Sequence, residues 1–279
     1  MRRFILHIIG FFALLLVINL SIEAILPYYW GNLGWRAKIN YLEENQFDAE
    51  VYFVGSSRTY RHLVPEVFEN LTGQKAFNLG YAASFTPEPE YLLGELMKSG
   101  QIDGKTVFLE LQMLNPLPDQ NVHTRQSRYF QQWRQLPDTY RIISESSWSD
   151  SLKRNSQHNY LVANVEKIWK LGMYKEIISF MRQGKGQNAS LGPNRDGYLS
   201  FNTQLSQEKP AELQKRRQFF LDHPESLTER KKIASQAYSQ LPNEAFVHDL
   251  AKLFALAAEH QIELVLFLPP RLTEAHFKA

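Results

Sequence analysis

The first feature of the chain is an apolar run over residues 4–20 that contains no Asp, Glu, Lys or Arg. Arg2 and Arg3 precede the run, and the next strong charge is Glu23. A run of this length is close to a minimal membrane span, and cationic residues before it favour a cytoplasmic N-terminus. We therefore predict that the bulk of the chain lies outside the cytoplasm.

The same run is also similar to the apolar region of a cleaved signal peptide. Signal peptidases prefer small residues on both sides of the −2 position, yet Ala24, the best −1 candidate, has Ile22 at −3. This favours an uncleaved, single-pass anchor in the cell membrane over residues 1–26. A cleaved signal is the alternative.

Residues 27–48 are rich in aromatic side chains, among them Tyr28, Tyr29, Trp30 and Trp35. Tyrosine and tryptophan are typical of the membrane–water interface, so we predict a juxtamembrane linker. A short packed linker is the other interpretation, and the two are compatible.

Apolar runs then alternate with amphipathic segments. The pattern predicts strands over residues 50–54, 75–79 and 106–111, and helices over residues 65–71 and 86–98. Such alternation, with short connections and Val/Phe/Leu-rich strands, is typical of a parallel sheet covered by helices.

The pattern changes over residues 115–242, which are polar and contain no convincing strand. Residues 160–181 carry apolar positions at near-helical spacing, and Ser226 with Glu229 is a capping-box signature before a further helix. A segment of this length is too long for a loop. We predict a helical insertion.

The α/β pattern resumes after the insertion. Asn243 is a candidate N-cap for a helix ending near His260, and residues 262–268 read as a buried strand. The predicted fold is therefore α/β, a three-layer parallel sheet flanked by helices. Its core comprises residues 49–114 together with 243–279.

Composition narrows the classes of function. Lys and Arg number 31 against 29 Asp and Glu, a net charge of +2 that gives no argument for nucleic acid as a partner. There are no cysteines, which excludes thiol nucleophiles and thiolate metal sites and suits an oxidising compartment. The histidines show no metal-ligand spacing, so we predict no metal and no cofactor.

Candidate chemistry lies where the first two predicted strands end. Gly55 allows a sharp turn after the first strand, and Ser56 and Ser57 stand where the next helix begins. Gly80 follows the second strand in the segment Phe-Asn-Leu-Gly. Adjacent parallel strands end at one edge of a sheet, where ligands bind, so a serine hydroxyl and backbone N–H groups are expected to face the same crevice.

Residues 53–59, Phe-Val-Gly-Ser-Ser-Arg-Thr, and residues 77–80 resemble the first two motif blocks of the SGNH (GDSL-like) hydrolase superfamily. The resemblance is closest to its membrane-anchored extracytoplasmic branch, which includes D-alanyl transfer and polysaccharide O-acyl-modifying proteins. It implies that Ser57 is the nucleophile and that the N–H groups of Ser57 and Gly80 hold the oxyanion. Arg58 then either binds an anionic polymer or pairs with a nearby carboxylate.

The chain departs from that family at two points. The third block, residues 109–115, lacks Gly-x-Asn-Asp, which leaves Gln112 or Asn115 as the side-chain oxyanion donor. No histidine has an aspartate three residues before it, so the Asp-x-x-His block is missing. We expect either that this block lies beyond Ala279 or that the protein is not a Ser-His-Asp catalyst.

The resemblance implies an extracytoplasmic esterase or O-acyltransferase acting on a cell-envelope polysaccharide or related glycan. Its expected partners are the membrane, an acyl donor or glycan, and a membrane-bound acyltransferase. The alternative is a non-catalytic envelope protein that uses the same fold as a glycan-binding or assembly module.

Overall fold

A computed structural model describes most of the chain. The described residues are 2–26, 33–45, 47–82, 84, 88–111, 136–146, 148–170, 173–183, 188–200, 203–204, 209–225 and 244–268.

The sheet has four parallel strands in the order β2-β1-β3-β4, which are β1 (Val51–Val54), β2 (Ala76–Asn78), β3 (Thr106–Glu110) and β4 (Glu263–Phe267). Phe53 aligns with Asn78 on β2 and with Phe108 on β3. All four strands lie within the predicted ranges, so the parallel α/β sheet is confirmed. Its strands are short apolar runs because both faces are covered.

Ten α-helices of the described chain surround or extend the sheet. They are α1 (Arg2–Ile25), α2 (Leu33–Asn45), α3 (Ser57–His62), α4 (Pro65–Thr72), α5 (Glu88–Lys98), α6 (Leu136–Glu145), α7 (Asp150–Ile168), α8 (Tyr174–Gln183), α9 (Pro210–Asp222) and α10 (Glu244–Glu259). A 3₁₀ helix spans Asn188–Leu191.

Successive residues of β1 point to opposite faces of the sheet. Val51 and Phe53 pack with Phe68 of α4 in one cluster. Tyr52 and Val54 belong to the main core, which also contains buried residues of α2, α5 and α10. Helices therefore cover both faces of the sheet.

The segment predicted as a juxtamembrane linker contains α2, which is part of the core. Trp35 and Ile39 are fully buried there, and Leu42 packs against the same cluster. These positions recur every three or four residues, which places them on one helix face. The aromatic content of the segment thus partly reflects packing against the sheet.

The described part of residues 115–242 is helical and contains no strand. The predicted helix over residues 160–181 is divided between α7 and α8, and Lys170 between them has a φ of 53°. A left-handed residue of this kind ends a right-handed helix. Ser226 and Glu229 lie outside the described residues.

The insertion is attached to the α/β core by polar contacts. The Tyr91 hydroxyl of α5 lies 3.0 Å from Thr139 Oγ1 of α6. Arg141 of α6 forms an ion pair with Asp249 of α10. The helix α6 is therefore held against the same helices that cover the sheet.

The helix α1 is apolar and largely exposed along its length. Over Arg3–Ile22 it is long and apolar enough to cross a membrane, and it alone among the described helices meets this criterion. A signal sequence near the N-terminus also meets this criterion.

Candidate functional site

Ser57 lies at the carboxyl edge of the sheet, where chemistry is expected in an α/β fold. It is the first residue of α3, and Ser56 before it is the N-cap. Ser57 is exposed, and its hydroxyl makes no hydrogen bond to any residue in the described chain. The hydroxyl is therefore accessible to a ligand.

The turn that carries Ser57 is built around the buried carboxylate of Glu110, the last residue of β3. Ser56 donates its N–H to Glu110 Oε2 at 2.7 Å and its hydroxyl to both carboxylate oxygens at 2.8 Å. Thr59 Oγ1 donates to Oε2 at 2.6 Å, and Arg58 Nε donates to Oε1 at 2.9 Å. Charge-assisted bonds of this kind are among the stronger hydrogen bonds in proteins.

The backbone N–H group of Ser57 differs from those of its neighbours because it has no acceptor in the described chain. The Ser56 and Thr59 N–H groups donate to Glu110, the latter at 3.4 Å, and the Arg58 N–H donates to Ser56 Oγ at 3.2 Å. The Ser57 N–H has no acceptor among the described residues. Among the described residues of this turn, it is the backbone N–H left for a ligand.

Arg58 is engaged by the same carboxylate. Its ion pair with Glu110 matches the second of the two roles that the sequence left open. The side chain is 29% exposed, so part of it faces the surface beside Ser57.

Gly80 approaches α3 at the neighbouring strand end. A Cβ atom built on Gly80 would lie 2.6 Å from the Tyr60 backbone nitrogen and 2.8 Å from Thr59 Cβ. Only glycine allows this approach without a shift of the backbone. The structure thus brings Gly80 against the helix that carries Ser57.

The Gly80 N–H is already hydrogen-bonded. It donates to Asn78 Oδ1 at 2.8 Å, while the Asn78 amide nitrogen donates to the carbonyls of Thr59 and Leu63 at 2.8 and 2.7 Å. Asn78 therefore joins the end of β2 to α3. An oxyanion at Gly80 would have to replace the Asn78 oxygen as acceptor.

The backbone carbonyl groups of residues 78–80, at the end of β2, accept hydrogen bonds from side chains of α2. Trp35 Nε1 donates to the Leu79 carbonyl at 2.9 Å. The fully buried Lys38 donates from Nζ to the carbonyls of Asn78, Gly80 and Gly197 at 2.9, 2.6 and 2.7 Å. This helix consequently fixes the orientation of the peptide groups at the end of β2.

Burial lowers the pKa of Lys38 well below its ordinary value, because its desolvation outweighs the opposing attraction of Asp196. Burial also raises the pKa of Asp196. Lys38 Nζ lies 4.2 Å from the centroid of the Tyr60 ring, and Arg61 Cζ lies 4.4 Å from the same centroid. Lys38 and Arg61 thus both contact the ring of Tyr60, whose backbone lies next to Gly80.

The predicted oxyanion donors Gln112 and Asn115 fall outside the described residues, so their roles stay predictions. No hydrogen bond joins Ser57 to a histidine in the described chain, and His62 is exposed at the end of α3. The described residues also contain no group of three or more His, Asp or Glu that could hold a metal ion.

Sequence reasoning missed Lys38 and Glu110, and it named Ser56 and the segment containing Asn78 without predicting the contacts of either residue. A signal for two of them exists, because Glu110 interrupts an apolar strand near its end and Lys38 stands between Ala37 and Ile39. A charge within an apolar stretch indicates a buried polar contact, since an unpaired one would be costly.

The fold and the site define a parallel α/β protein with an exposed serine at a strand-end turn. No protein-family model, curated protein or solved structure matches this chain.

Proposed function

We propose that this chain is a membrane-anchored, extracytoplasmic α/β protein of SGNH type that carries out acyl-ester chemistry. As an esterase or O-acyltransferase it would act on a cell-envelope polysaccharide or a related glycan. The observation that carries the proposal is the exposed Ser57, with a free hydroxyl and a free N–H, on a turn held by buried Glu110.

A nucleophile requires a fixed direction of approach, and the Glu110 contacts meet this need. Ser56 and Thr59 are both bonded to the carboxylate, so the backbone on each side of Ser57 is restrained. Ser57 would attack the acyl carbon, and its own N–H would donate to the oxygen that becomes negative.

Gly80 supplies the second oxyanion donor in this proposal. Its N–H releases Asn78 Oδ1 when the tetrahedral intermediate forms, an exchange of one acceptor for a charged one. The proposal assigns the general base to a residue outside the described part of the chain. Proton removal from Ser57 is required because a serine hydroxyl is a weak nucleophile.

The second candidate is a non-catalytic glycan-binding or assembly module. Two observations favour it: the Gly80 N–H already has an acceptor, and no described base contacts Ser57. The Ser57 hydroxyl and the exposed part of Arg58 would then contact a glycan without reaction.

Ester hydrolysis by the full-length chain tests the proposal. The chain should release nitrophenol from a chromogenic acetyl ester, and a fluorophosphonate probe should modify Ser57, as located by peptide mass spectrometry. Ser57→Ala should abolish both signals and leave thermal unfolding unchanged, because the hydroxyl makes no hydrogen bond to a described residue. Ser151→Ala, an exposed serine on α7, is the matched control and should behave as wild type.

Equal rates for wild type and Ser57→Ala would refute the nucleophile. If hydrolysis and labelling are absent while an O-acetylated glycan binds and Ser57→Ala weakens that binding, the module is correct.

A further inference from the structure

Two helices of the insertion pack along α1. Trp169 meets Phe12 edge to face with ring centroids 6.2 Å apart. Farther along, the Tyr174 hydroxyl donates to Asn19 Oδ1 at 3.1 Å. Met173 and Ile177 form a cluster with Ile22 and Leu26.

These contacts show that the segment from Trp169 to Ile177 runs parallel to α1. The contacted positions advance from Phe12 to the end of α1 as the chain proceeds from Trp169 to Ile177. Phe12 and Ile22 are separated by roughly 15 Å along the helix axis, which is about half the thickness of a bilayer's hydrocarbon core. The segment from Trp169 to Ile177 therefore lies beside the second half of α1.

Large apolar side chains are exposed on α7 and α8. Exposed side chains there, which we call the α7–α8 apolar face, are Leu161, Val162, Val165, Tyr174, Ile178 and Met181. Met181 is 69% exposed. On α8 the members stand three or four residues apart and so share one side of the helix.

Three polar side chains near the junction of α7 and α8 are turned inwards. Asn164 and Lys167 are buried, and Lys170 is only 1% exposed. Its Nζ donates to the Lys167 carbonyl at 3.2 Å. Lys175 and Arg182 of α8 are exposed. Long cationic side chains of this kind extend to the lipid headgroups from a helix that lies in the interface.

Asn19 follows the same rule within α1. It is fully buried, whereas the apolar residues around it are mostly exposed. Its amide donates to the Leu15 carbonyl at 2.7 Å and its oxygen accepts from Tyr174. Polar groups in lipid must be satisfied inside the protein, and these contacts satisfy Asn19.

We propose that the α7–α8 apolar face is immersed in the bilayer that α1 crosses, with its side chains in contact with lipid acyl chains. The inference rests on the anchor of the proposed function. It makes the protein a two-point membrane binder rather than a domain on a single tether. Continuity of the face with α1 and the inward position of Lys167 and Lys170 identify the partner as lipid.

The immersed helices also lead directly to the site. Residues 188–200 follow α8, and within them Gly197 accepts a hydrogen bond from Lys38. The Asp196 carbonyl accepts from the Asn78 N–H at 2.8 Å. A second membrane contact would therefore hold the Ser57 turn close to the membrane surface.

Fluorescent labelling in vesicles tests this inference, since the chain has no cysteines and each introduced thiol is unique. The full-length chain carrying Val165→Cys or Ile178→Cys is labelled with a nitrobenzoxadiazole dye. It is then placed in vesicles of phosphatidylcholine with phosphatidylglycerol. Brominated acyl chains should quench both dyes, and iodide in the water should quench them several-fold less than a dye on Glu69→Cys.

Two controls bracket the result. A dye on Leu14→Cys of α1 should be quenched by brominated acyl chains if α1 crosses the membrane. Arg154→Cys is exposed and lies two turns before Leu161 on the same side of α7, and its dye should be quenched by iodide. Because all these positions are exposed, the substitutions leave the core intact.

Strong iodide quenching at Val165 and Ile178 with lipid quenching at Leu14 would overturn the inference and leave the anchor standing. Strong iodide quenching at Leu14 as well would overturn both the inference and the membrane anchor. Shielding from both quenchers would mean that another protein or a second copy covers the face, which also refutes the inference.

A second readout needs no substitution. A carbene photolabel dissolved in the bilayer should modify wild-type peptides from α7 and α8 as well as peptides from α1. Labelling confined to α1 would contradict immersion of the helix pair.

Discussion

Ser56 donates both its N–H and its hydroxyl to the carboxylate of Glu110, although the two residues are far apart in sequence. Parallel pairing of β1 with β3 brings the two strand ends together. The Ser57 turn is therefore held by Glu110 at the end of β3 rather than by contacts within its own local sequence.

Replacing Glu110 with glutamine should destabilise the protein. The amide has one acceptor oxygen and would turn an NH₂ group towards the donors of Ser56 or Thr59. We expect a loss of about 2–4 kcal/mol in the free energy of unfolding. Urea unfolding of the detergent-solubilised chain, followed by tryptophan fluorescence, measures it.

The control for this change is Glu69→Gln on the exposed side of α4, where the unfolding free energy should stay within about 0.5 kcal/mol of wild type. A similar small effect of Glu110→Gln would show that the carboxylate does not hold the turn.

Gly80→Ala should disturb the contact between the end of β2 and α3. The new Cβ would lie 2.6 Å from the Tyr60 backbone nitrogen, so the backbone must move. We expect a destabilisation of about 1–3 kcal/mol by thermal unfolding.

The matched substitution is Gly94→Ala in α5, whose Cβ would meet nothing closer than Leu253 Cδ1 at 4.0 Å. Alanine is the better helix former, so this variant should gain about 0.5–1 kcal/mol. Opposite signs for the two glycines are expected, and a stabilised Gly80→Ala would contradict the close approach.

Lys38→Met should remove the donor that three carbonyl groups share. Their loss of hydrogen bonds outweighs the relief of a buried charge, and we expect a destabilisation of about 2–4 kcal/mol. Lys98→Met on the surface of α5 is the control and should have little effect. An unchanged midpoint for Lys38→Met would mean that water or another donor satisfies those carbonyls.

Lys38 also has a pH signature. Its pKa is lowered in the folded protein, so the unfolded chain binds the proton more tightly. Wild-type stability should rise with pH between the lowered pKa and the ordinary value of about 10.5, and Lys38→Met should lack this rise. Unfolding at a series of pH values compares the two proteins.

Tyr52 produces the opposite effect above pH 10. Burial raises the pKa of Tyr52 to about 12, from 10.0 in the unfolded chain. The unfolded state therefore loses its proton first, and stability falls with pH between about 10 and 12, by up to about 2–3 kcal/mol from this residue. Tyr52→Phe should lose less stability over that range, and parallel curves for both proteins would exclude this contribution.

Local patterns predicted much of the fold. The strands over residues 51–54 and 263–267 are short apolar runs next to amphipathic helices, and such patterns depend on nearest neighbours. The Gly-Ser-Ser turn and Gly80 were visible for the same reason, because tight turns have local residue requirements.

The contacts of the site were hidden from such reasoning. Glu110 meets Ser56 only because of the register between β1 and β3, and Lys38 meets Gly197 only because α2 packs on the sheet. Neither contact follows from periodicity along one segment. A buried charge in the sequence predicts that a partner exists and does not identify it.

The sequence by itself determined the parallel α/β core, the apolar N-terminal helix and the serine turn, because each depends on short-range patterns of polarity and backbone freedom. Tertiary structure decided that Glu110 holds the turn, that Asn78 accepts from the Gly80 N–H and that the start of α8 packs against the end of α1. These contacts join residues far apart in the chain, and their free energy comes from desolvation and hydrogen bonding that exist only once the elements have packed.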